Sequence, residues 1–464
     1  MSFSPTLAVH RFGYGMSPKV PSPASVSAML DDLSGPDRAA KQFALPPTKE
    51  LHAMTEEFRK LRKARGAAQD AGEENSAAEA AFAAFQKQRR KQYRGWMAQT
   101  LLRRVWSEDG FRERLVDFWA DHFSAPGKRN IFRFNALHYV DDAIRPHVSG
   151  RFEDMLLAAV LHPQMLHFLD QSASVGPNSA FAKARTKRGV GLNENLAREI
   201  LELHTLGVGG QYGQDDVRQL AKLLTGLRTN FDKRTVFDPS RAEPGSETVL
   251  GQSYGGDGEA VIADIHAVLR NLARHPDTAE HLAQKMAVHF VADQPDDAMI
   301  ATMKSAYLET DGDLSAMCAA MLQHPAAWAP ERRNFKQPVV FLCSAMRGLA
   351  VPKRDLRKMG ESRMRRIVDG PLRTMGQPIG IPLGPDGFEE GDAHWLSPQG
   401  LAARLQWSLA APTVLSDPLP DPREFVVDVL GDDAPKEVLF AAKAAENRRE
   451  GVALVLMSPA FQRM

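Results

Sequence analysis

The sequence predicts an all-α fold: one large, mostly helical domain over residues 1–464, with a long helical hairpin near its start and one irregular, short-stranded insertion. Three observations predict it. From Lys49 to Trp106 nearly every residue is a helix former, Ala, Glu, Gln, Lys, Arg, Leu or Met. Extended structure is suggested only around Thr229–Tyr254, where Pro, Gly and Thr surround the strand-like pieces VFDP and ETVLG. No strand-helix alternation runs along the chain, no glycine-rich phosphate loop follows a strand, and no G-x-S-x-G, H-E-x-x-H or paired C-x-x-C occurs.

Composition narrows the class further. A hydrophobic content of 43% suffices for a substantial core. Against 57 acidic residues stand 58 basic ones, a formal charge of +1, so no long-range attraction to nucleic acid or to an anionic membrane is expected. The basic runs Lys87–Arg94 and Arg354–Arg366 read as solvated helical faces. Cys318 and Cys343 sit in apolar helical runs and read as small buried hydrophobes. No positive leader followed by an apolar run opens the sequence, and no stretch approaches the roughly 18 apolar residues of a membrane span. A cytoplasmic protein is the simplest expectation, with folded export on a partner's signal as the alternative.

Taken in order, Ala8–Gly15 carries Arg11, Phe12 and Tyr14 into a glycine turn. Residues 49–106 form two antiparallel helices joined near Asp70–Ser76, an arm that projects from the body or lies across it. In Gly110–Phe123, Phe111, Leu115, Phe118 and His122 share a stripe with Trp119 beside it, while Arg114, Asp117 and Asp121 share the other side. His122 is thus directed inward, either as a core histidine bonded to a carbonyl or as an acid/base group. Asn130–Pro146 returns to helix with His138, Asp141 and Asp142, and a short segment leads to Asp170. The polar loop Gln171–Gly189 then feeds the helix expected over Asn193–Gly207.

That helix concentrates the candidate chemistry. Leu196, Ile200 and Leu203 form its apolar stripe, with His204 on the same side. Glu194, Asn195, Arg198, Glu199 and Glu202 gather on the opposite arc, and Leu206 falls inside that arc, so leucines hem the polar stripe in. One reading is a partly buried polar cluster. The other is a solvated stripe in which Arg198 pairs with Glu194 and Glu202 for a few tenths of a kcal/mol each. His204 is likewise either a ligand or a hydrogen-bonded core residue.

The irregular insertion is expected over 228–258, followed by helices through residue 349. His-Pro occurs at 162–163, 275–276 and 324–325 and reads as helix punctuation. Asp311-Gly312-Asp313 resembles part of a calcium loop, but a capping Asp explains it better. Residues 375–396, MGQPIGIPLGPDGFEEGDAHWL, form a Gly/Pro-rich loop whose Phe388 and Trp395 either wall a pocket or anchor the loop on the core.

The stretch NENLAREILELHTLGVGGQYGQDDVRQLAKLLTGL resembles the hallmark of a bacterial family known as domain of unknown function 1800. So do HRFGYG, FWADHFS, AVLHPQML, HFLD (His167–Asp170), AQKMAVHFVAD, ETDGDLSAM, MGQPIG and WLSP, in family order along nearly the whole chain. The resemblance implies a mostly helical fold and brings no established activity. It also implies a neighbour, the domain of unknown function 1501 family, which is similar to sulfatases and alkaline phosphatases and hints at work on an exported polymer. Many members show a His-Asp pair after the Thr-Gly helix; here Arg241, Ala242 and Glu243 occupy that region. If the pair binds a metal elsewhere in the family, this chain lacks it.

Two functional readings follow. The first is an acid/base enzyme, a hydrolase or lyase acting on a sugar- or peptide-like polymer. Glu194, Glu199 or Glu202 would be the base and His122 or His204 the acid. Arg198 would hold an anionic group, with Asn193, Asn195, Asp170, Trp119 and Trp395 around the substrate. No cofactor is implied; a divalent metal on these carboxylates and histidines is a variant, though no Glu-x-x-His spacing supports it. The second is a non-catalytic helical scaffold or chaperone for an exported partner of the domain of unknown function 1501 family.

Overall fold

The computed structural model describes residues 2–72, 77–127, 132–184, 191–230, 235–432 and 434–464. Helices dominate, and the described strands form two small antiparallel hairpins, in keeping with an all-α protein with a short-stranded insertion.

Helix α1 (Pro5–Arg11) is capped by Ser4 and delivers Arg11 into the interior. There the buried guanidinium donates to the carbonyls of Ala327, Ala329 and Glu331 at 2.6, 3.0 and 2.8 Å, tying the start of the chain to its middle. Helices α2 (Thr48–Asp70) and α3 (Ala77–Trp106) pack on one another through Phe58, which meets Phe82 and Phe85 at 5.7 and 6.4 Å. Their outer parts are largely exposed, as their polar composition requires. The last turns of α3 enter the body and bury Ala98, Leu101, Leu102 and Val105.

Helix α4 (Gly110–His122) is the structural centre. Asp109 caps it, accepting from the Arg112 N–H at 2.9 Å. Phe111, Leu115, Phe118 and Trp119 are buried, but so are Arg112, Glu113 and Arg114. Charges buried on so much of a helix need partners, and most of these come from other elements.

The segment around the 193–207 stretch departs from the expected continuous helix. Helix α5 (Asn195–Glu199) gives way to a π turn, Ile200–His204. The Thr205 hydroxyl donates to the Ile200 carbonyl at 2.6 Å, and His281 Nε2 and His122 Nε2 donate to the Leu203 and His204 carbonyls at 3.1 and 3.2 Å. Side chains thus take the carbonyls that another helical turn would use, and the helix ends there. Leu206 consequently lies beyond the helix, buried in the turn, and does not hem in the polar arc as expected.

Helix α6 (Gln214–Leu223) leads to β1 (Leu227–Thr229) and β2 (Thr235–Phe237), then β3 (Gly245–Val249) and β4 (Gln252–Gly256). Strand β1 pairs with β2, with Leu227 opposite Phe237; β3 pairs with β4, with Val249 opposite Gln252. Helix α7 (Pro276–Phe290) lies against α4. Each His-Pro pair opens a helix: the Nδ1 atoms of His162, His275 and His324 accept from the N–H two residues on, at 3.1, 3.1 and 3.3 Å. Asp313 caps its helix in the same way, accepting from Ser315 N at 2.7 Å.

Helices α8 (Pro338–Gly348) and α9 (Pro398–Ala410) begin the C-terminal part. One apolar core gathers α4, α7 and the segments up to Trp328; a second gathers α8, the end of α3 and the last helices. The polar face of α4 lies at the seam between them.

Candidate active site

Arg114, Asp117 and Asp121 stand at i, i+3 and i+7 on α4 and face a cavity of about 150 Å³. Arg103 and Arg104 of α3, Asp141, Arg145, His289 of α7, Gln337, and Gln377 and Phe388 of the 375–396 loop complete its polar wall. Three of the four arginines are neutralised by bidentate pairs. Arg103 grips Asp141 at 2.6 and 2.9 Å, Arg104 grips Asp117 at 2.8 and 2.5 Å, and Arg145 grips Glu113 at 2.8 and 2.8 Å. Such planar pairs hold both partners charged and fixed.

Among the described residues, Asp121 is the lining carboxyl with no arginine partner. It accepts from the Phe388 N–H at 3.0 and 3.1 Å. Burial, reinforced by the charge of Glu390, pushes its pKa up to about 8, with Lys285 working the other way. At neutral pH it therefore carries a proton. Asp117, one turn away, is the reverse case. Burial would raise it, but Arg104 outweighs that, with a hydrogen bond from the Tyr14 hydroxyl, and holds it below the usual carboxylate range. One face of one helix thus presents a protonated and an ionised carboxyl.

Behind this wall runs a hydrogen-bonded chain. Arg114 Nη2 lies 3.1 Å from His289 Nε2, and His289 Nδ1 lies 2.7 Å from Glu390 Oε2. An arginine only donates, so the lone pair of His289 faces Arg114 and its proton sits on Nδ1, directed at Glu390. Gln337 Nε2 donates to the same Glu390 oxygen at 3.2 Å, and Gln377 Nε2 donates to Gln337 Oε1 at 2.9 Å. Burial works against an ionised Glu390, yet His289, Lys285 and Arg114 hold its pKa down.

The loop comes this close because of Gly387. Its φ is +84°, and a Cβ there would stand 2.5 Å from Asp121 Oδ2. Trp395, fully buried, anchors the far end of the loop against Gly376 and does not line the cavity.

Of the residues the sequence proposed as catalytic or substrate-binding, none lines this cavity, although Phe388 and the polar side of α4, noted there without a role, do. His122 and His204 meet in the interior, with ring centroids 6.0 Å apart and His281 at 6.1 Å from His122. Lys285 Nζ lies 3.4 Å from His122 Nδ1. Burial, with Lys285 adding to it, takes His122 well below its ordinary pKa and His204 to about 3. Both are neutral imidazoles, and neither ring nitrogen of His204 has a partner among the described residues. Trp119 is packed among Phe118, Phe123 and Phe152.

The carboxylate arc lies at the solvent edge. Arg198 and Glu194 are 3.5 Å apart with side chains 42% and 33% exposed, and Gln214 bridges them at 2.9 Å to each. At Glu199, burial, then Glu202 and Asp386 of the loop, raise the pKa to about 7. Asn193 clamps the backbone, donating to the Leu169 carbonyl at 2.9 Å and accepting from the Asn195 N–H at 3.0 Å. Asn195 is exposed. Asp170 is also exposed, at a left-handed backbone position that opens a 3₁₀ turn. In the 241–243 region, Glu243 binds Asn178 at 2.5 and 2.8 Å and Arg241 stacks on Phe181 at 4.3 Å. Among the described residues no group of three His, Cys, Asp or Glu is placed to hold a metal ion.

Sequence reasoning passed over Lys285, His289 and Glu390. His281, Lys285 and His289 recur every four residues on α7, a basic stripe that a helical projection reveals. Glu390 carries no such signal, because only the loop's path brings it to His289.

The chain is therefore a helical protein with a charged cavity at the seam of two cores, roofed by a Gly/Pro-rich loop. It belongs to the family described as Protein of unknown function (DUF1800), whose model matches residues 7–463. No curated protein and no solved structure matches the chain. No helix among the described residues is long and apolar enough to cross a membrane.

Proposed function

We propose that the cavity is an acid/base site that cleaves a sugar- or peptide-like polymer, as a hydrolase or lyase, with Asp121 as proton donor. The observation that carries this is the pair of carboxyls one turn apart on α4, held in opposite protonation states by their surroundings. A site that drives two carboxyl pKa values apart has assigned its acid and its fixed negative charge. Asp117, saturated by Arg104 and Tyr14, would stabilise positive charge developing on the substrate rather than take up a proton. A cavity of about 150 Å³ accommodates a group the size of one six-membered ring, which favours a sugar unit.

Glu199 is the second candidate acid, its pKa raised to about 7 by burial and the nearby Glu202 and Asp386. Turnover on a panel of polysaccharides and peptides, compared for wild type, Asp121→Asn and Glu199→Gln, decides between them. We expect Asp121→Asn to lose about 10²–10⁴-fold, the usual worth of a positioned proton donor. Full activity in that variant overturns the assignment.

The scaffold reading, with a partner from the domain of unknown function 1501 family, draws on one feature: Leu401, Leu405 and Leu409 form an exposed ridge on α9. Co-purification that Leu405→Lys abolishes, together with full indifference to Asp121→Asn, would favour it.

A further inference from the structure

Resting on the proposed reading of this cavity, a further step concerns what its substrate carries. Of the four arginines in the wall, Arg114 has no carboxylate partner within ion-pair distance among the described residues. Its contacts are neutral: the Gly13 carbonyl at 3.2 Å, the Met464 sulfur at 3.4 Å and His289 Nε2 at 3.1 Å. Its Nε has no partner among the described residues, and the side chain is wholly buried. The rings of Phe290 and Tyr14 lie 5.4 and 5.9 Å from the guanidinium and offset part of its charge without replacing a counter-ion.

A buried guanidinium facing a cavity with no carboxylate in contact is only partly compensated, because Asp117 and Glu390 act on it from beyond hydrogen-bonding distance, and that is costly to the free protein. Asp121 is the mirror case, a lining carboxyl with no arginine partner among the described residues. The two stand seven residues apart on α4, which at 1.5 Å per residue separates their backbones by about 10 Å. Between them lies the cavity wall with Asp117.

We propose that Arg114 receives a carboxylate of the substrate, so that the polymer is acidic and each unit bound in the cavity presents its carboxylate to Arg114 and its scissile bond to Asp121. The planar guanidinium suits a carboxylate better than a hydroxyl or an amide, because it offers two parallel N–H donors. His289, fixed by Glu390 with its lone pair toward Arg114, holds the guanidinium in position for that contact. A uronic-acid residue has the required features, a six-membered ring with one carboxylate.

The test is binding rather than turnover, which separates it from the proton-donor assignment. Calorimetry with D-glucuronate and with its methyl ester is run on wild-type protein, Arg114→Gln, Arg114→Lys and Asp121→Asn. We expect wild type to bind glucuronate at least tenfold tighter than the ester, with the preference weakening as salt is raised. Arg114→Gln should lose the preference, Arg114→Lys should keep part of it, and Asp121→Asn should keep it whole. Equal binding of acid and ester by wild type, or no binding of either, overturns the proposal whatever the variants do. Loss of turnover in Asp121→Asn alongside equal binding would leave the acid/base reading standing and remove this one.

Discussion

Asp121 sets what the molecule should do as pH changes. Its pKa in the folded protein, about 8, lies well above the ordinary value of 3.8. Between those values the folded chain holds a proton that the unfolded chain has released, so this group's contribution to stability falls as pH rises from about 4 to about 8 and is flat above. Denaturant titrations across that window should show wild type losing stability steadily relative to Asp121→Asn as pH rises toward 8, because the amide cannot ionise. A constant difference means that Asp121 is ionised in the folded state. Activity should follow the same group in its own sense, holding below pH 8 and declining above it as the donor loses its proton. That second profile was not legible in the sequence, where Asp121 was one polar residue among three on its side of α4. Its state depends on Glu390, which lies 269 positions further along the chain.

At the scale of elements, the loop and helix α4 depend on each other through Gly387. Any side chain there meets the Asp121 carboxyl, and the left-handed backbone disfavours it further. Gly387→Ala should therefore displace the Phe388 N–H from Asp121 and cut turnover at least tenfold, while global unfolding shifts little because the loop's anchor, Trp395, is untouched. Turnover at wild-type level in this variant would show that the loop's approach is incidental. The elements themselves were largely readable. Helix formers marked α2 and α3, apolar spacing marked α4, and the His-Pro pairs marked three helix starts. What failed was the assumption of one uniform helix through the 193–207 stretch. A projection at 100° per residue cannot foresee His122 and His281 taking carbonyls from outside, and it placed Leu206 on a face the helix never reaches. For the carboxylate arc the sequence left a partly buried cluster and a solvated stripe both open, because its exposure depends on Gln214 and on solvent, neither of which the arc's own spacing encodes.

For the whole molecule, the arginine–carboxylate pairs join segments remote in sequence. Arg145 binds Glu113 on α4 and also Asp37 at 2.9 Å, so one guanidinium gathers three stretches of chain. Removing one member of such a buried set strands the others. Glu113→Ala should cost about 3–5 kcal/mol in denaturant unfolding, against under about 1 kcal/mol for an exposed pair such as Arg38–Asp32. Comparable small losses for both would mean the cavity wall is held by its apolar packing alone. The seam between the two cores also explains why function was harder to read than fold. Each core announces itself by local apolar spacing, whereas a cavity between them is assembled from single residues on α3, α4, α7 and the loop.

The three imidazole caps carry a consequence of their own. Serine, aspartate and asparagine begin helices through short side-chain oxygens; here the same acceptor is offered by a ring nitrogen on the residue just before a proline. Replacing any one of the three histidines with alanine would leave the amide of residue 164, 277 or 326 without that acceptor, so three helix beginnings rest on single imidazoles.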